Sequence, residues 1–437
     1  MPKFPHLRVS VAQSLSAIAP DQWNACANPQ IESDFNQMAP TIESNSHLVD
    51  SNRPLESIYE TIESHSQGER YNPFISYAFL RALEVSGSVG HGTGWTPAYL
   101  VLDDDSGILQ AAAPSYVKSH SMGEYVFDQG WARAYEQAGG HYYPKLQVSV
   151  PFTPATGRRL LVRQPALVTR LIEGLRSLRA SLKASSIHAT FLPEPEADAL
   201  GEAGFLRRTD QQFHFFNRGY ADFEAFLAAL SSRKRKMIKR ERAQALSPGI
   251  SIEWLTGKDI QPQHWDAFFA FYMDTGARKW GRPYLTRRFF DEIGTTMPQD
   301  ILLIMAKRDG KYIAGAINFI GKDALYGRNW GALEHHPFLH FEVCYYQAIE
   351  FALSRGLKRV EAGAQGEHKL ARGYEPVITH SAHDIADMRF RRAVADYLEA
   401  ERAQTDEHVA ILGEHTPFRR SDHAPAHALS EQDMDEE

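Results

Sequence analysis

Side chains able to exchange protons are concentrated in one short segment, RVEAGAQGEHKLARGYEP at residues 359–376. Its start has the apolar residues of a buried strand, and polar groups where a strand ends are common site positions. Partial burial inside that strand would raise the pKa of Glu361 and suit a general base, and His368 is the alternative base. We predict catalytic roles for these two and substrate contacts for Gln365 and Lys369. The alternative is a surface ion pair between Glu361 and Lys369, with His368 capping a turn.

The segment before it, residues 341–357, has the spacing of an amphipathic helix. Its apolar stripe contains Phe341, Tyr345, Ile349 and Leu353. Glu342, Tyr346 and Glu350 recur at four-residue spacing on the opposite face. We predict that Tyr346 points into a cleft as a proton donor and that Glu342 contacts substrate. An exposed polar face is the alternative, and we favour it for Glu350.

A strand-to-helix connection upstream, LYGRNWGALEHHPFLHFE, combines cationic, aromatic and histidine side chains. Arg328 and Trp330 are predicted to form a wall of the substrate site. His335 and His336 are neighbours whose side chains would diverge on a strand, and Pro337 between His336 and His340 argues against a helical ligand pair. No HExxH-like frame is present. We therefore predict no metal site, and a metal-dependent enzyme remains the least favoured alternative.

Two further groups are candidates for binding. In the first half, Asp128, Tyr143 and Lys145 are predicted to contact substrate, with packing between domains as an equal alternative. The run SSRKRKMIKRER at 231–242 is strongly basic, and such a patch can bind the phosphates of a nucleotide-containing donor or a tRNA acceptor stem. Its equal alternative is a solvated basic helix. The predicted donor-phosphate contacts are Arg233, Lys236, Arg240 and Lys279.

Composition excludes several classes of protein. The 437 residues carry a net charge of −7 and are 43% hydrophobic, which is typical of a globular protein and argues against a DNA-coating surface. Two cysteines give neither a disulfide framework nor a cysteine zinc site. No apolar run is long enough to cross a membrane, and the N-terminus lacks the pattern of a signal peptide. A cytoplasmic location is therefore expected.

Strand and helix patterns alternate twice along the chain, which favours two similar α/β halves over one large sheet. Residues 1–28 and 71–216 are predicted to form the first half, and residues 217–403 the second half, which carries the site. Residues 29–70 and 404–437 are poor in large apolar groups and are predicted to be a flexible insertion and a flexible tail.

Several long motifs resemble the FemAB-like family of N-acyltransferases, also described as peptidoglycan biosynthesis/recognition proteins. They are the segments 72–100, 115–161, 233–242 and the run from Phe341 through CYYQAIEFALSRGLKRVEAGAQGEHKLARGYEPVITHSAH. The resemblance implies tandem GNAT-like domains, each a mixed and mostly antiparallel sheet flanked by helices. It also implies amide formation between an activated donor, acyl-CoA or aminoacyl-tRNA, and a primary amine of a small molecule or peptide. No tightly bound cofactor is implied.

One departure concerns the donor. GNAT enzymes that use acyl-CoA usually place a glycine-containing turn before the helix that receives the pyrophosphate. The equivalent EHHPFLHFEV has no glycine, and Pro337 has no amide hydrogen. The donor therefore stays open between acyl-CoA and aminoacyl-tRNA. The rival from another class is a non-catalytic GNAT-like module that binds a peptide, glycan or partner protein.

Overall fold

Strands and helices alternate through the chain in two rounds. The computed structural model describes residues 7–29, 71–247, 249–279, 283–363, 366–414 and 416–419. The helices are α1 (Pro20–Ala27), α2 (Tyr77–Val85), α3 (Gln129–Gln137), α4 (Val168–Ser181), α5 (Glu194–Glu202), α6 (Phe223–Ala229), α7 (Ser232–Leu246), α8 (Pro262–Lys279), α9 (Arg287–Thr296), α10 (residues 339–354) and α11 (Met388–Glu414).

The strands are β1 (Arg8–Ala12), β2 (Trp95–Pro97), β3 (Tyr99–Asp103), β4 (Leu109–Ala113), β5 (Ser115–Lys118), β6 (Lys145–Val148), β7 (Leu161–Val162), β8 (Ser186–Leu192), β9 (Leu206–Phe216), β10 (Ser251–Thr256), β11 (Ile301–Arg308), β12 (Lys311–Ile320), β13 (Ala324–Ala332), β14 (Arg359–Glu361) and β15 (Glu375–Ile385).

The two halves have the same order of elements. Each begins with a strand and two helices, β1-α1-α2 and β10-α8-α9, followed by antiparallel strands. Each then has a helical crossover between two parallel strands, α4 between β6 and β8 and α10 between β13 and β14. A final long strand, β9 or β15, closes each half. The predicted α/β architecture with mixed, mostly antiparallel strands is confirmed.

The final strands are exchanged between the halves. The large sheet has the order β10-β11-β12-β13-β14-β9-β15-β8-β6-β5-β2. Strand β9 of the first half therefore pairs with β14 of the second, and β15 of the second half pairs with β8 of the first. The expectation of two separate sheets is wrong in this respect, because the exchange joins both halves into one sheet.

The first half also contributes a second sheet, with the order β1-β3-β4-β7. Its separation follows from a break between β4 and β5 at Pro114, which has no N–H to donate to a ladder. The hydroxyl of Ser115 accepts from the Leu100 amide and donates to the Ala98 carbonyl, so hydrogen bonding continues across the break.

Helices cover both faces of the second half's strands. An aromatic core that includes Phe74, Phe268 and Phe319 lies between these strands and α2, α8 and α9. On the other face, α10 packs with Val343, Ile349 and the β14 residue Val360. Side chains from two helical layers, one on each face of the sheet, can therefore approach the end of β13. A site that uses groups from both layers can form there.

Several predicted elements are confirmed and others differ in extent. In residues 301–333 the segments RDGK and GKDA predict turns between three strands, and the run forms β11, β12 and β13 accordingly. The insertion predicted at 29–70 lies outside the described residues apart from Pro29. The tail predicted from residue 404 differs, because α11 continues to Glu414 and both Leu412 and Phe418 are buried. Among the helices described, none is long and apolar enough to cross a membrane.

Candidate functional site

A gap opens between β13 and β14 in the second half. The two strands pair in parallel over three positions, ending with Tyr326 opposite Glu361. Strand β13 then continues to Ala332, whereas the chain leaves β14 at Glu361. Beyond Tyr326, β13 pairs only with β12 within the described residues. The two strands therefore part at Tyr326 and Glu361, between the two helical layers.

A β-bulge in β13 sets the direction of the Arg328 side chain beside this gap. Ile317 pairs with Asn329 and Asn318 pairs with Gly327, so Arg328 is the extra residue of β13. Its guanidinium lies 5.9 Å from the ring centre of Phe74 and donates to the carbonyl oxygen of Phe152. Arg328 therefore faces the α8 and α9 layer, at the contact between the halves.

Glu361 lies where the strands part and is 3% exposed. Its Oε1 accepts a 2.9 Å hydrogen bond from Arg359 Nε. Its Oε2 has no hydrogen-bond partner among the described residues and lies 3.8 Å from Nε2 of His214. Burial lowers the pKa of His214, so at neutral pH its ring is uncharged. Glu361 thus keeps one carboxylate oxygen for a proton or an incoming donor.

Lys369 is buried close to the same point, at 2% exposure. Its Nζ donates to the carbonyl oxygen of Gly363 at 3.0 Å. Burial lowers the pKa of Lys369 to about 8, and at neutral pH the group is therefore still a cation. Since an ammonium has three donors, this cation retains donors for a developing negative charge.

His368 and Tyr345 form a hydrogen-bonded pair on the α10 side of the gap. His368 Nε2 lies 2.9 Å from the Tyr345 hydroxyl. Burial lowers the pKa of His368, with the charges of Arg372 and Lys369 acting in the same direction, and burial raises the pKa of Tyr345. Gly366 makes the arrangement possible, because a Cβ at this φ of 115° would lie 2.4 Å from the His368 ring. Tyr345 had been predicted only as part of the apolar stripe.

Two predicted site residues of α10 face away from the gap. Residues Glu342–Tyr346 are π-helical, so their side chains do not follow the α-helical spacing assumed for them. Tyr346 is fully buried and its hydroxyl donates to Glu241 of α7. Glu342 is also fully buried and pairs with Arg242 at 3.0 Å. Both tie α10 to α7, so the predicted cleft-facing positions are corrected.

The two residues predicted to form a substrate wall lie on opposite faces of the sheet, Arg328 towards α8 and α9 and Trp330 towards α10. Trp330 packs against the His340 ring with 5.3 Å between ring centres, on the α10 side of the gap. His335 is exposed, and His336 pairs with Glu334 at 2.8 Å. Within the described residues, no three potential metal ligands converge.

The predicted first-half residues lie in a separate buried network. Lys145 Nζ is 2.5 Å from Asp128 and 3.4 Å from Glu124, and Glu124 is 3.3 Å from Lys118. Burial opposes ionisation of Asp128, but Lys145 holds its pKa below the ordinary value. Tyr143 donates to Ser121 at 2.8 Å. These contacts fix the loop at residues 119–128. Tyr125 of this loop hydrogen-bonds to Arg328, which joins the network to the gap.

The first half has the equivalent gap between β6 and β8, but its own chain fills it. Arg159 is 1% exposed and lies where these strands part. Its guanidinium donates to the carbonyl oxygens of Thr190, Gly157 and Ala155 at 3.1, 2.7 and 2.8 Å. Of the two equivalent positions, the one in the second half is therefore the candidate site.

The basic run forms α7, which lies beside the gap. Glu241 pairs with Arg372 at 2.8 Å, and this contact joins α7 to the segment that carries His368. Three exposed cations of α7 form no ion pair within the described residues; they are Arg233, Lys236 and Arg240. Their spacing places them on one helical face. The Lys279 side chain and Gln365 lie outside what the structure describes.

Sequence reasoning missed His214, Tyr345 and Tyr125. His214 lies within QQFHFF, which reads as an ordinary strand, and its closeness to Glu361 depends on the exchanged position of β9. Tyr345 lacked a distinguishing signal because a tyrosine on an apolar stripe is typical of a core.

A family model for FemAB-like proteins, described as peptidoglycan biosynthesis/recognition, matches residues 56–420. Among solved structures, FemX is 11% identical, with a TM-score of 0.48 over 77% of this chain and 98% of its own. L-PGS from Bacillus licheniformis is 8% identical, with a TM-score of 0.46 over 78% and 96%. A tandem GNAT protein from the clavulanic acid biosynthesis pathway is 11% identical, with a TM-score of 0.43 over 87% and 99%.

No curated protein matches the sequence. The family match confirms the resemblance seen in the sequence and the acyltransferase class that it implies. Because the match covers most of the chain, the protein belongs to the FemAB-like family.

Proposed function

We propose that the protein joins an activated acyl group to a primary amine, and that its donor is an aminoacyl-tRNA. The observation that carries this proposal is the Oε2 of Glu361, which has no hydrogen-bond partner among the described residues, at the point where β13 and β14 part. An attacking amine must lose a proton, and a carboxylate without a competing partner accepts it. Membership of the FemAB-like family supports the acyl-transfer class.

In the proposed reaction, the amine nitrogen attacks the donor's ester carbonyl and gives its proton to Glu361. Lys369, a cation at neutral pH because its pKa is about 8, stabilises the negative charge on the carbonyl oxygen. The carbon–oxygen ester bond then breaks and the leaving oxygen takes a proton from Tyr345, and the proton accepted by Glu361 returns to Tyr345 through solvent to complete the cycle. Burial raises the pKa of Tyr345, so the hydroxyl carries its proton at neutral pH and gives it up only as negative charge develops on the leaving oxygen. His368 orients the Tyr345 hydroxyl.

Two features favour aminoacyl-tRNA over acyl-CoA. The turn before α10 offers few free amides for a pyrophosphate, because Pro337 has no N–H and the Leu339 amide already donates to the His336 carbonyl. Helix α7, which contacts the segment carrying His368 through the Glu241–Arg372 pair, presents three exposed cations instead, and these suit the phosphates of a polynucleotide.

The test is incubation of the full chain with labelled aminoacyl-tRNA and, separately, with labelled acyl-CoA, each with a panel of primary amines. We expect label to move from aminoacyl-tRNA to an amine. Transfer from acyl-CoA alone would overturn the choice of donor. If correctly folded protein transfers label from neither donor, the catalytic proposal fails and the non-catalytic binding module replaces it.

A further inference from the structure

A row of aromatic rings borders the gap on its α10 side. Trp330 of β13 lies 5.3 Å from His340, and His340 lies 5.6 Å from Phe341, measured between ring centres. His368 continues the row at 5.5 Å from Phe341. We call these four residues the aromatic surface. Three of them are half-buried and His368 is exposed, so the fold leaves part of this ring area uncovered.

The rings of the aromatic surface differ in how many partners they have. Phe341 is well supported, because the Arg372 guanidinium lies 3.5 Å from its ring centre and the Tyr345 ring stacks on it at 5.9 Å. Trp330 has a ring contact only with His340 among the described residues, and the two rings are tilted by 53°. The indole lies where β13 has already parted from β14. A planar group can therefore stack on Trp330 from the open side of the strand.

Helix α7 brings positive charge to the same place. It packs against the first turn of α10 and against the segment that carries His368. Glu241 of α7 pairs at 2.8 Å with Arg372, the residue that covers Phe341. The exposed cations of α7 begin at Arg240, next to Glu241, and extend over about 10 Å towards the start of the helix. A line of cations therefore leads to the aromatic surface.

We propose that the aromatic surface stacks an unpaired nucleobase at the end of a single-stranded nucleic acid, with Trp330 and His340 as the stacking residues. Aromatic rings beside a line of cations are the features by which proteins hold single strands, because every base has a flat face and every link has a phosphate. In the proposed reaction this base is the terminal one of the aminoacyl-tRNA. The inference therefore deepens the proposed function and rests on it.

The position of the aromatic surface agrees with the chemistry assigned to the gap. The His340 ring lies 5.3 Å from the ring of Tyr345, which gives its proton to the leaving oxygen in the proposed reaction. In an aminoacyl-tRNA that oxygen belongs to the terminal ribose, and the same ribose carries the terminal base. A base on Trp330 or His340 and a ribose oxygen at Tyr345 therefore belong to one nucleotide.

A nucleobase suits this surface better than an aliphatic chain does. Two of its four rings are imidazoles, whose nitrogens make the surface polar at its edges. Burial lowers the pKa of His368, so its ring is uncharged at neutral pH. Coenzyme A also carries an adenine, but its pyrophosphate would meet few free amides at the turn before α10. A polynucleotide end, whose phosphates α7 can bind, is therefore the better match.

The first experiment measures binding without reaction. The full chain is titrated into a 5′-labelled RNA tetranucleotide with a 3′-terminal adenosine, and into the same RNA with an abasic residue at that position. Both RNAs carry the same phosphates, so a difference in Kd reports the base alone. We expect the intact RNA to bind about 5- to 100-fold more tightly, as for one stacked base.

Two results would overturn the inference. One is equal affinity for the intact and abasic RNAs, which includes no binding of either. The other is tighter binding of coenzyme A than of the intact RNA, measured by competition, because the surface would then serve a coenzyme A donor.

Variants assign the effect to individual rings. Trp330→Leu and His340→Leu should each reduce the preference for the intact RNA, and Trp330→Phe, which keeps a ring, should retain most of it. None of these changes removes a phosphate contact, so the slope of log Kd against log salt should stay the same. Tyr397→Leu is the matched control, since Tyr397 is 52% exposed on α11, and its preference should be that of the wild type. A full preference in folded Trp330→Leu and His340→Leu proteins would contradict the assignment.

Transfer assays separate this inference from the proposed function. If the wild-type chain transfers label from aminoacyl-tRNA but binds both RNAs equally, this inference fails and the proposed transferase is unaffected. If it prefers the intact RNA but transfers label to no amine, the proposed transferase fails and the base-stacking site is supported.

Discussion

At the scale of single residues, Glu361 differs from Glu342 and Glu241, two other buried carboxylates of the second half, in having one oxygen without a hydrogen-bond partner among the described residues. Glu342 and Glu241 are each neutralised by an arginine, at 3.0 and 2.8 Å. Glu361 pairs through Oε1 with Arg359 and keeps Oε2 unpartnered within the described residues. Burial alone therefore does not make a carboxylate a candidate base. A candidate base must also keep an oxygen that no neighbouring cation occupies.

Glu361→Gln tests this role, because an amide of the same size cannot accept the amine's proton. We expect the single-turnover rate of amide formation to fall by about 10²- to 10⁴-fold while the melting temperature changes little. Glu253→Gln is the control: this glutamate of β10 lies at the outer edge of the sheet and bonds to Tyr312. A Glu361→Gln protein with an unchanged rate would exclude Glu361 as the base.

The buried ammonium of Lys369 predicts a pH-dependent stability. Below pH 8 native and unfolded chains both hold its proton, and the native state bears the full cost of burying the charge. Between about pH 8 and 10.5 the unfolded chain holds a proton that the native chain lacks, so stability rises with pH. Lys369→Met should thus be more stable than the wild type at pH 7, by about 2–3 kcal/mol.

Urea unfolding at pH 7, 8, 9 and 10 measures that difference, which should shrink as the pH rises. Lys358→Met, at a lysine that is 66% exposed, should show no such trend. A difference between Lys369→Met and wild type that stays constant over this range would mean that Lys369 is not buried as a cation.

At the scale of elements, α7 carries two kinds of cation: those that pair with a carboxylate, and exposed ones that form no ion pair within the described residues. Arg242 and Lys239 are held by Glu342 and Glu224, whereas Arg233, Lys236 and Arg240 form an exposed face. The basic run in the sequence predicted the charge but not this division. It depends on which side of α7 meets α10, and that contact is made by residues about a hundred positions away.

Neutralising this face should weaken donor binding. The triple change Arg233→Gln, Lys236→Gln and Arg240→Gln removes up to three phosphate contacts, so the slope of log Kd against log salt should fall by about 2–3. Filter binding of aminoacyl-tRNA at several salt concentrations measures it. The triple change at Lys183, Lys311 and Lys322, all exposed elsewhere, alters net charge equally. If both triple variants reduced the salt dependence of aminoacyl-tRNA binding equally, the tRNA would be attracted by net charge and not by this face of α7.

Local sequence patterns predicted the elements better than the site. The turns RDGK and GKDA placed β11 to β13 correctly, because hairpins depend on nearby residues. The apolar start of segment 359–376 also predicted a strand that ends within it, and β14 ends at Glu361, whereas the role of this segment as the site stays a prediction. The choice of Tyr346 over Tyr345 was wrong in its geometry, because the π-helical turn at Glu342–Tyr346 shifts the helical face and α-helical periodicity does not reveal such a turn.

At the scale of the whole molecule, the exchange of β9 and β15 makes each half depend on the other. Strand β9 leaves the first half to lie between β14 and β15, and β15 lies between β9 and β8. It also brings His214 of β9 opposite Glu361, so the candidate site contains residues from both halves. Non-local pairing of this kind leaves no periodic signal in either strand, which is why the sequence favoured two separate sheets.

Mutual dependence predicts that neither half folds alone. Residues 7–216 would expose β9, and residues 217–419 would expose β14 and β15, each as an unpaired strand edge prone to aggregation. We expect each half expressed alone to be insoluble or to lack a cooperative melting transition. Co-expression should give a soluble one-to-one complex, because the cut falls between Phe216 and Asn217, directly after β9 ends. Two independently stable, monomeric halves would show that the exchanged strands are dispensable for folding.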